Sequence, residues 1–275
     1  MSWLSAARRR PVAGYAVVLL GLILVGAIYA TITGSGDSAA ATSPAASQAQ
    51  IDAGRQIFLE TCATCHGLQA QGTAVAPSLI GVGSAAVDFQ VSTGRMPAKE
   101  TGPEQDRRPP QLNPRQTHEV AAYIQSLAGG PTIPTPAEVS TAGANVALGQ
   151  QLFTANCAQC HNFVGAGGAL TYGKHAPSLD ASTPTQIYEA MLTGPEAMPV
   201  FNNTTITPDE KRAIIAFVTQ TRVTPNPGGF SLGRIGPVTE GLVAFLGLLF
   251  FVVLAAMWIT AKHKKTETPP QEDHG

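Results

Sequence analysis

Hydrophobic and polar positions along the chain fall into distinct zones. At each end lies a run without a charged residue, 12–32 (21 residues) and 242–261 (20 residues), each close to the ~20 residues a helix needs to cross hydrocarbon about 30 Å thick. Arg8, Arg9 and Arg10 precede the first run, and Lys262, His263, Lys264 and Lys265 follow the second. The positive-inside bias then puts both chain ends in the cytoplasm and everything between the runs on the outer side. Between them, helical spacing of apolar residues closes two similar segments: 114–127, with Tyr123 and Ile124, and 208–221, with Ile214, Phe217 and Val218. Pro114 and Pro208 open these stretches, where a first helical turn accepts proline.

Three stretches have no apolar period. Residues 34–50 are small and polar, as a flexible tether would be, and 129–143 are rich in Pro and Gly and read as an interdomain linker. Residues 224–236 lead into the last apolar run. The chain is thereby parsed as an N-terminal transmembrane anchor (1–33), tether (34–50), first domain (51–128), linker (129–143), second domain (144–223), linker (224–236), C-terminal transmembrane helix (237–261) and cytoplasmic tail (262–275).

The first run also invites comparison with a cleaved signal peptide. It is longer than the usual signal core, and no A-x-A site closes it at Ala30, so an anchor is the better reading. The arginine run is read as ordinary orienting charge rather than a twin-arginine export signal. With 28 Gly, 21 Pro and 13% charged residues among 275, the chain suits two small modules better than one large core. Its net charge of −1 and lack of a basic block exclude the electrostatic footprint of a nucleic-acid binder.

The two modules are copies. Gly54, Phe58, Cys62, Cys65 and His66 recur 95 residues on as Gly149, Phe153, Cys157, Cys160 and His161. Pro77-Ser78-Leu79 recurs as Pro177-Ser178-Leu179, and Thr93-Gly94 with Met96-Pro97 as Thr193-Gly194 with Met198-Pro199. Cys62-Ala63-Thr64-Cys65-His66 and Cys157-Ala158-Gln159-Cys160-His161 have C-x-x-C-H spacing. That spacing lets two thiols on one helical turn add to the vinyl groups of a haem while the adjacent imidazole takes the iron. All four cysteines are spent this way. A thioredoxin-like pair or half a zinc site would leave both histidines unexplained.

For the other side of each iron the candidates are Met96 and Met198, each on an extended loop after a Thr-Gly turn and before Pro. Met1 and Met257 lie at the membrane ends, and Met191, in the helical run 187–192, reads as core. His175 and Lys174 are reserve ligands for the second iron. A ligating histidine usually donates its other ring nitrogen to a carbonyl, a role open to Pro77 and Pro177, although either proline also fits a plain turn. Gly165-Ala166-Gly167-Gly168 has no strand-to-helix context for phosphate and is expected to let backbone approach a haem edge. The charged insert 99–108 reads as a solvated loop, with a partner-docking surface as the alternative.

Together these features resemble a duplicated small monohaem cytochrome c fold. More narrowly, Val91-Ser92-Thr93-Gly94-Arg95-Met96-Pro97-Ala98, Gly173-Lys174-His175-Ala176-Pro177-Ser178-Leu179 and the terminal helix resemble the dihaem cytochrome c subunit of the actinobacterial cytochrome bc complex. The resemblance implies a mainly α fold, with two tandem monohaem cytochrome c-like domains flanked by an N-terminal and a C-terminal transmembrane helix. It implies two covalent haem c groups, with His66 and Met96 on the receiving iron and His161 and Met198 on the delivering one. It also implies a place in the cell membrane beside a Rieske iron-sulfur subunit and a cytochrome b subunit, passing electrons from quinol towards the copper centre of an aa-type oxidase. A dihaem subunit of a cbb-type oxidase shares the N-terminal anchor but not the second one. A dihaem peroxidase or a haem-based gas sensor needs an open iron position, which two methionines would close.

Overall fold

The computed structural model describes residues 11–33, 46–102, 104–224, 232 and 237–266. Arg8 to Arg10, most of the expected tether and of 224–236, and the tail beyond 266 lie outside the described residues. The described residues divide into two units after Ala45. The first holds helix α1 (Pro11–Thr33), within which the apolar helix Gly14–Ile28 is exposed along its length.

The second unit begins with α2 (Gln48–Thr61), which starts ahead of the expected domain boundary at 51 because Ser47 caps it. The Ser47 hydroxyl accepts from the Gln50 amide while the Gln50 side chain accepts from the Ser47 amide, so two otherwise orphaned donors at the helix start are satisfied. The first module continues with α3 (Ala63–His66), α4 (Gly83–Ser92) and α5 (Pro114–Ala128). Asn113 and Gln116 build the same reciprocal cap before Pro114. Next comes α6 (Pro136–Val139), a single turn inside the segment read as a linker. That segment is pinned at both ends: the Ala85 amide donates to the Pro131 carbonyl at 3.0 Å, and Val139 packs on the core of the second module.

The second module contains α7 (Val146–Asn156), α8 (Ala158–His161), a two-residue pair of antiparallel strands β1 (Gly168–Ala169) and β2 (His175–Ala176), α9 (Pro184–Thr193) and α10 (Pro208–Val223). The offset between the copies grows from 95 at Gly72 and Gly167 to 100 at Pro77 and Pro177, and the extra residues form the tip of this small hairpin. The last described element is α11 (Pro237–Thr266), which contains Val238–Ala261. Among the described residues this is the one helix long and apolar enough to cross a membrane, and no protein face covers it.

Each module is built on a close helix crossing. Gly54 of α2 lies against the Glu119 carbonyl of α5, and Gly149 of α7 lies against the Ala213 carbonyl of α10. Beside each crossing an aromatic pair meets, Phe58 with Tyr123 and Phe153 with Phe217, both with ring centroids 5.4 Å apart. The first core gathers Phe58, Val87, Val91, Val120 and Ile124. The second gathers Phe153, Ile187, Tyr188, Met191, Ile214 and Phe217. Met191 is 2% exposed and belongs to this core, as its place on a helix suggested.

The modules meet where α4 packs on α9. The Gln186 side chain donates to the Ser92 hydroxyl at 3.1 Å. Glu189 is wholly buried there beside Asp88, and burial, reinforced by the Asp88 charge, pushes its carboxyl up to about 10, so it is held protonated. The insert 99–108 is largely exposed, as a solvated loop would be, but Gln105 and Arg107 also reach the second module. The Arg107 guanidinium donates to Ser182 Oγ at 3.4 Å and Gln186 Oε1 at 3.1 Å, and the Gln105 amide donates to Glu196 Oε1 at 2.9 Å. Its docking partner is therefore the second module of its own chain.

Candidate functional site

In both modules the short helix carrying the C-x-x-C-H run follows the long first helix almost without a break. The Cys62 amide donates to the Phe58 carbonyl and the Cys157 amide to the Phe153 carbonyl, both at 2.8 Å. The chain then turns back beneath the histidine: Gly72 donates to the His66 carbonyl at 2.8 Å and Gly167 to the His161 carbonyl at 3.0 Å. Both glycines have φ of +83°, and a Cβ at Gly167 would sit 2.7 Å from Ser178 N. Gly165 and Gly167 thus fold their loop onto the Pro-Ser-Leu turn.

This turn fixes the imidazoles. His66 Nδ1 lies 2.8 Å from the Pro77 carbonyl oxygen and His161 Nδ1 lies 3.1 Å from that of Pro177. A carbonyl can only accept, so Nδ1 carries the proton and Nε2 is left as an unprotonated donor for a metal. Burial lowers the His161 pKa, with the Pro177 hydrogen bond opposing, which favours the neutral, metal-binding form. The two prolines therefore do more than turn the chain.

The first cysteine of each pair sits where burial disfavours the thiolate. Burial, with the neighbouring Cys65, pushes the Cys62 thiol up to about 11, and burial with Cys160 pushes Cys157 to about 12. A disulfide-exchanging C-x-x-C needs the opposite shift. None of the four is in a disulfide, and among the described residues no three His, Cys, Asp or Glu side chains gather as a metal site, which leaves the zinc reading without its ligand set.

A cleft partly open to solvent lies against the second C-x-x-C-H run. Cys157, Cys160, His161 and Met198 all line it, with Phe153, Ile187, Met191 and Val218 supplying an apolar wall. Met198 is half-buried and packed on the second core. His175, the reserve ligand, stands at the exposed rim with Nε2 3.7 Å from Asp106 Oδ1. In the first module Met96 is half-buried against the first core, while His66 is 7% exposed. Two thiols, one neutral imidazole, one thioether and an apolar wall make a donor set that fits a covalently attached haem. Phe89, Arg95 and Arg107 of the first module also line the second cleft. Sequence reasoning missed them, because nothing in one module's pattern says which face it turns to its twin.

Fold and site together define a c-type cytochrome with two haem-bearing domains. The family described as "Cytochrome c" matches residues 51–128, and that described as "Cytochrome C oxidase, cbb3-type, subunit III" matches 144–218. The cytochrome bc1 complex cytochrome c subunit of Corynebacterium diphtheriae is 42% identical over 269 residues, covering 92% of this chain and 95% of that protein. The subunit of the same name from Mycobacterium tuberculosis is 40% identical over 260 residues, covering 92% of each chain. The cbb3-type cytochrome c oxidase subunit FixPc of Rhizobium leguminosarum is 33% identical over 120 residues, 40% of this chain. The chain belongs to the family of cytochrome bc1 complex cytochrome c subunits, and its two cytochrome c domains carry two covalent haem c groups.

Proposed function

We propose that this chain is the membrane-anchored electron-transfer subunit of a respiratory quinol–cytochrome c reductase, passing electrons one at a time from a Rieske iron-sulfur subunit to the copper centre of an aa-type oxidase, with a cytochrome b subunit beside it. The observation that carries this reading is the duplicated site joined to near-full-length similarity: both copies keep the two cysteines, the carbonyl-held histidine and the methionine. When bound, the haems supply reversible one-electron chemistry at iron. Cys62 and Cys65, and Cys157 and Cys160, hold them covalently. His66 and His161 would hold the irons through Nε2, and Met96 and Met198 through sulfur. Pro77 and Pro177 keep both imidazoles in the ligating tautomer, and in the second module the apolar wall would shield the group. The chemistry this chain would carry is electron transfer, with no substrate bond made or broken.

Charge placement and the apolar runs support two membrane helices, α1 and α11, with both termini cytoplasmic and both haem domains on the outer face, in contact with membrane lipid. The second reading, a dihaem subunit of a cbb-type oxidase, draws on the match over 144–218. It leaves α11 and the wider similarity unused. Gentle solubilisation of the membrane followed by identification of what co-purifies separates the two. Rieske and cytochrome b polypeptides are expected, and co-purification with a cbb-type oxidase alone overturns the assignment.

Replacing Met198 by histidine is expected to lower the potential of one haem by roughly 200 mV, within the ~0.8 V range that axial ligands command, and to leave the other unchanged. Optical redox titration of the purified chain checks this. A potential unaltered in Met198→His and altered in His175→Ala would give the ligand role to His175.

A further inference from the structure

The second cleft is not closed by its own module. Among the described residues that line it, the second module contributes no lysine or arginine, and the cations present are Arg95 and Arg107, both from the first module. An adjoining recess lined by Gly167, His175, Pro177 and Glu196 has the same two arginines and no other lysine or arginine; the acids that face them are Glu104 and Glu196 in both spaces and Asp106 in the recess.

Arg95 is 6% exposed, and its Nε and Nη1 have no hydrogen-bond partner. Its nearest acid, Glu196, leaves 3.7 Å between Nε and Oε1, too long for a hydrogen bond, and that oxygen already accepts from the Gln105 amide at 2.9 Å. The guanidinium carbon lies 5.1 Å from the centroid of the Phe89 ring, itself part of the cleft wall, so the ring fixes where the guanidinium sits. A buried guanidinium with N–H groups unsatisfied is costly, and guanidinium groups are matched best by carboxylates. Arg107, more exposed, is held at the mouth by Ser182 and Gln186. Haem carries two propionate side chains, both anionic near neutral pH, and an apolar cleft that buries the macrocycle must find cations for them.

Resting on the reading that a haem occupies the second cleft, we infer that Arg95 and Arg107 of the first module bind the propionate carboxylates of the haem held by the second. Arg95 would engage the buried carboxylate and Arg107 the one nearer the mouth. The second binding site is then incomplete without the first module, and these arginines are positioning residues that also set charge beside the iron.

The test uses the full-length chain with both haems attached, titrated optically at pH 6 and pH 8. Met198→His identifies which redox wave belongs to the second haem. Removing a nearby positive charge stabilises the ferric form, so Arg95→Gln and Arg107→Gln are each expected to shift that wave's equilibrium toward oxidised by about tenfold, equal to about 59 mV for one electron; Arg107→Gln should leave the other wave in place, whereas Arg95→Gln, next to Met96, should move it by less than the second. A propionate stripped of its counter-charge has a raised pKa, so the shifted wave should also gain pH dependence between the two conditions. Arg95→Lys, which keeps the charge, should stay close to the unsubstituted potential, and the propionate bending band in resonance Raman should change in the glutamine variants only. If Arg95→Gln fails to accumulate, Arg107→Gln carries the comparison. Waves unmoved in the arginine variants, or movement of the first haem's wave alone, overturn the clamp while leaving the haem assignment intact. If neither Met198→His nor His175→Ala moves a wave, the seat itself is wrong and the clamp falls with it.

Discussion

A chain in which Cys62, Cys65, Cys157 and Cys160 are all replaced by alanine does not accumulate as a folded protein. Each module has about 80 residues, a size at which a protein core alone supplies marginal stability. In the second module Phe153, Ile187, Met191, Ile214 and Val218 belong to the core and to the cleft wall at once. Full burial of one such side chain contributes about 1.5–3 kcal/mol, and whole domains are stable by only about 5–15 kcal/mol. Leaving several of these side chains facing an unfilled cleft therefore removes most of the margin. Immunoblotting of membranes and limited proteolysis read the outcome, and recovery of a protease-resistant fragment from the four-cysteine variant would refute it.

The second large effect is expected at the helix crossings. A Cβ added at Gly54 would overlap the Glu119 carbonyl, and one at Gly149 the Ala213 carbonyl. In both cases the obstacle is helix backbone, so relief requires the two long helices of the module to part and their aromatic pair to separate. Gly54→Ala and Gly149→Ala should each cost about 3 kcal/mol, the upper part of the range for overpacked cores. For a module of this size that lowers the melting temperature by about 12–24 °C. Thermal unfolding followed by circular dichroism measures the loss. The two variants should be equally damaging, and a fully stable Gly149→Ala would show that the second crossing is looser than its geometry implies.

These glycines mark how far the sequence can be read. Their recurrence 95 residues apart was visible beside the cysteines, but repetition shows only that a residue matters to both copies, whereas the close approach of α2 to α5 gives the reason. The attachment runs, the Met-Pro loops and the closing helices were legible because each is a local pattern. The carbonyl role of Pro77 and Pro177 was legible in outline, since the turn follows the histidine at short range. The contact of the glycine run at 165–168 with the Pro-Ser-Leu turn was not legible, because it depends on a loop whose path no periodicity encodes. The reach of Gln105 and Arg107 from the exposed insert 99–108 to the second module was hidden for a related reason: a run of charges looks the same whether water or another domain satisfies part of it. Arg95 was invisible as a cleft residue because its site lies across a domain boundary.

The ordered segment around α6 and the clasp made by Gln105 and Arg107 have a consequence for recombining the halves. A gene fragment encoding only the second half would yield a protein with an uncovered flank, its Ser182, Gln186 and Glu196 stripped of the groups that meet them. Grafting that half onto a foreign anchor therefore means carrying the first half along, so the pair is transplanted as a single cassette.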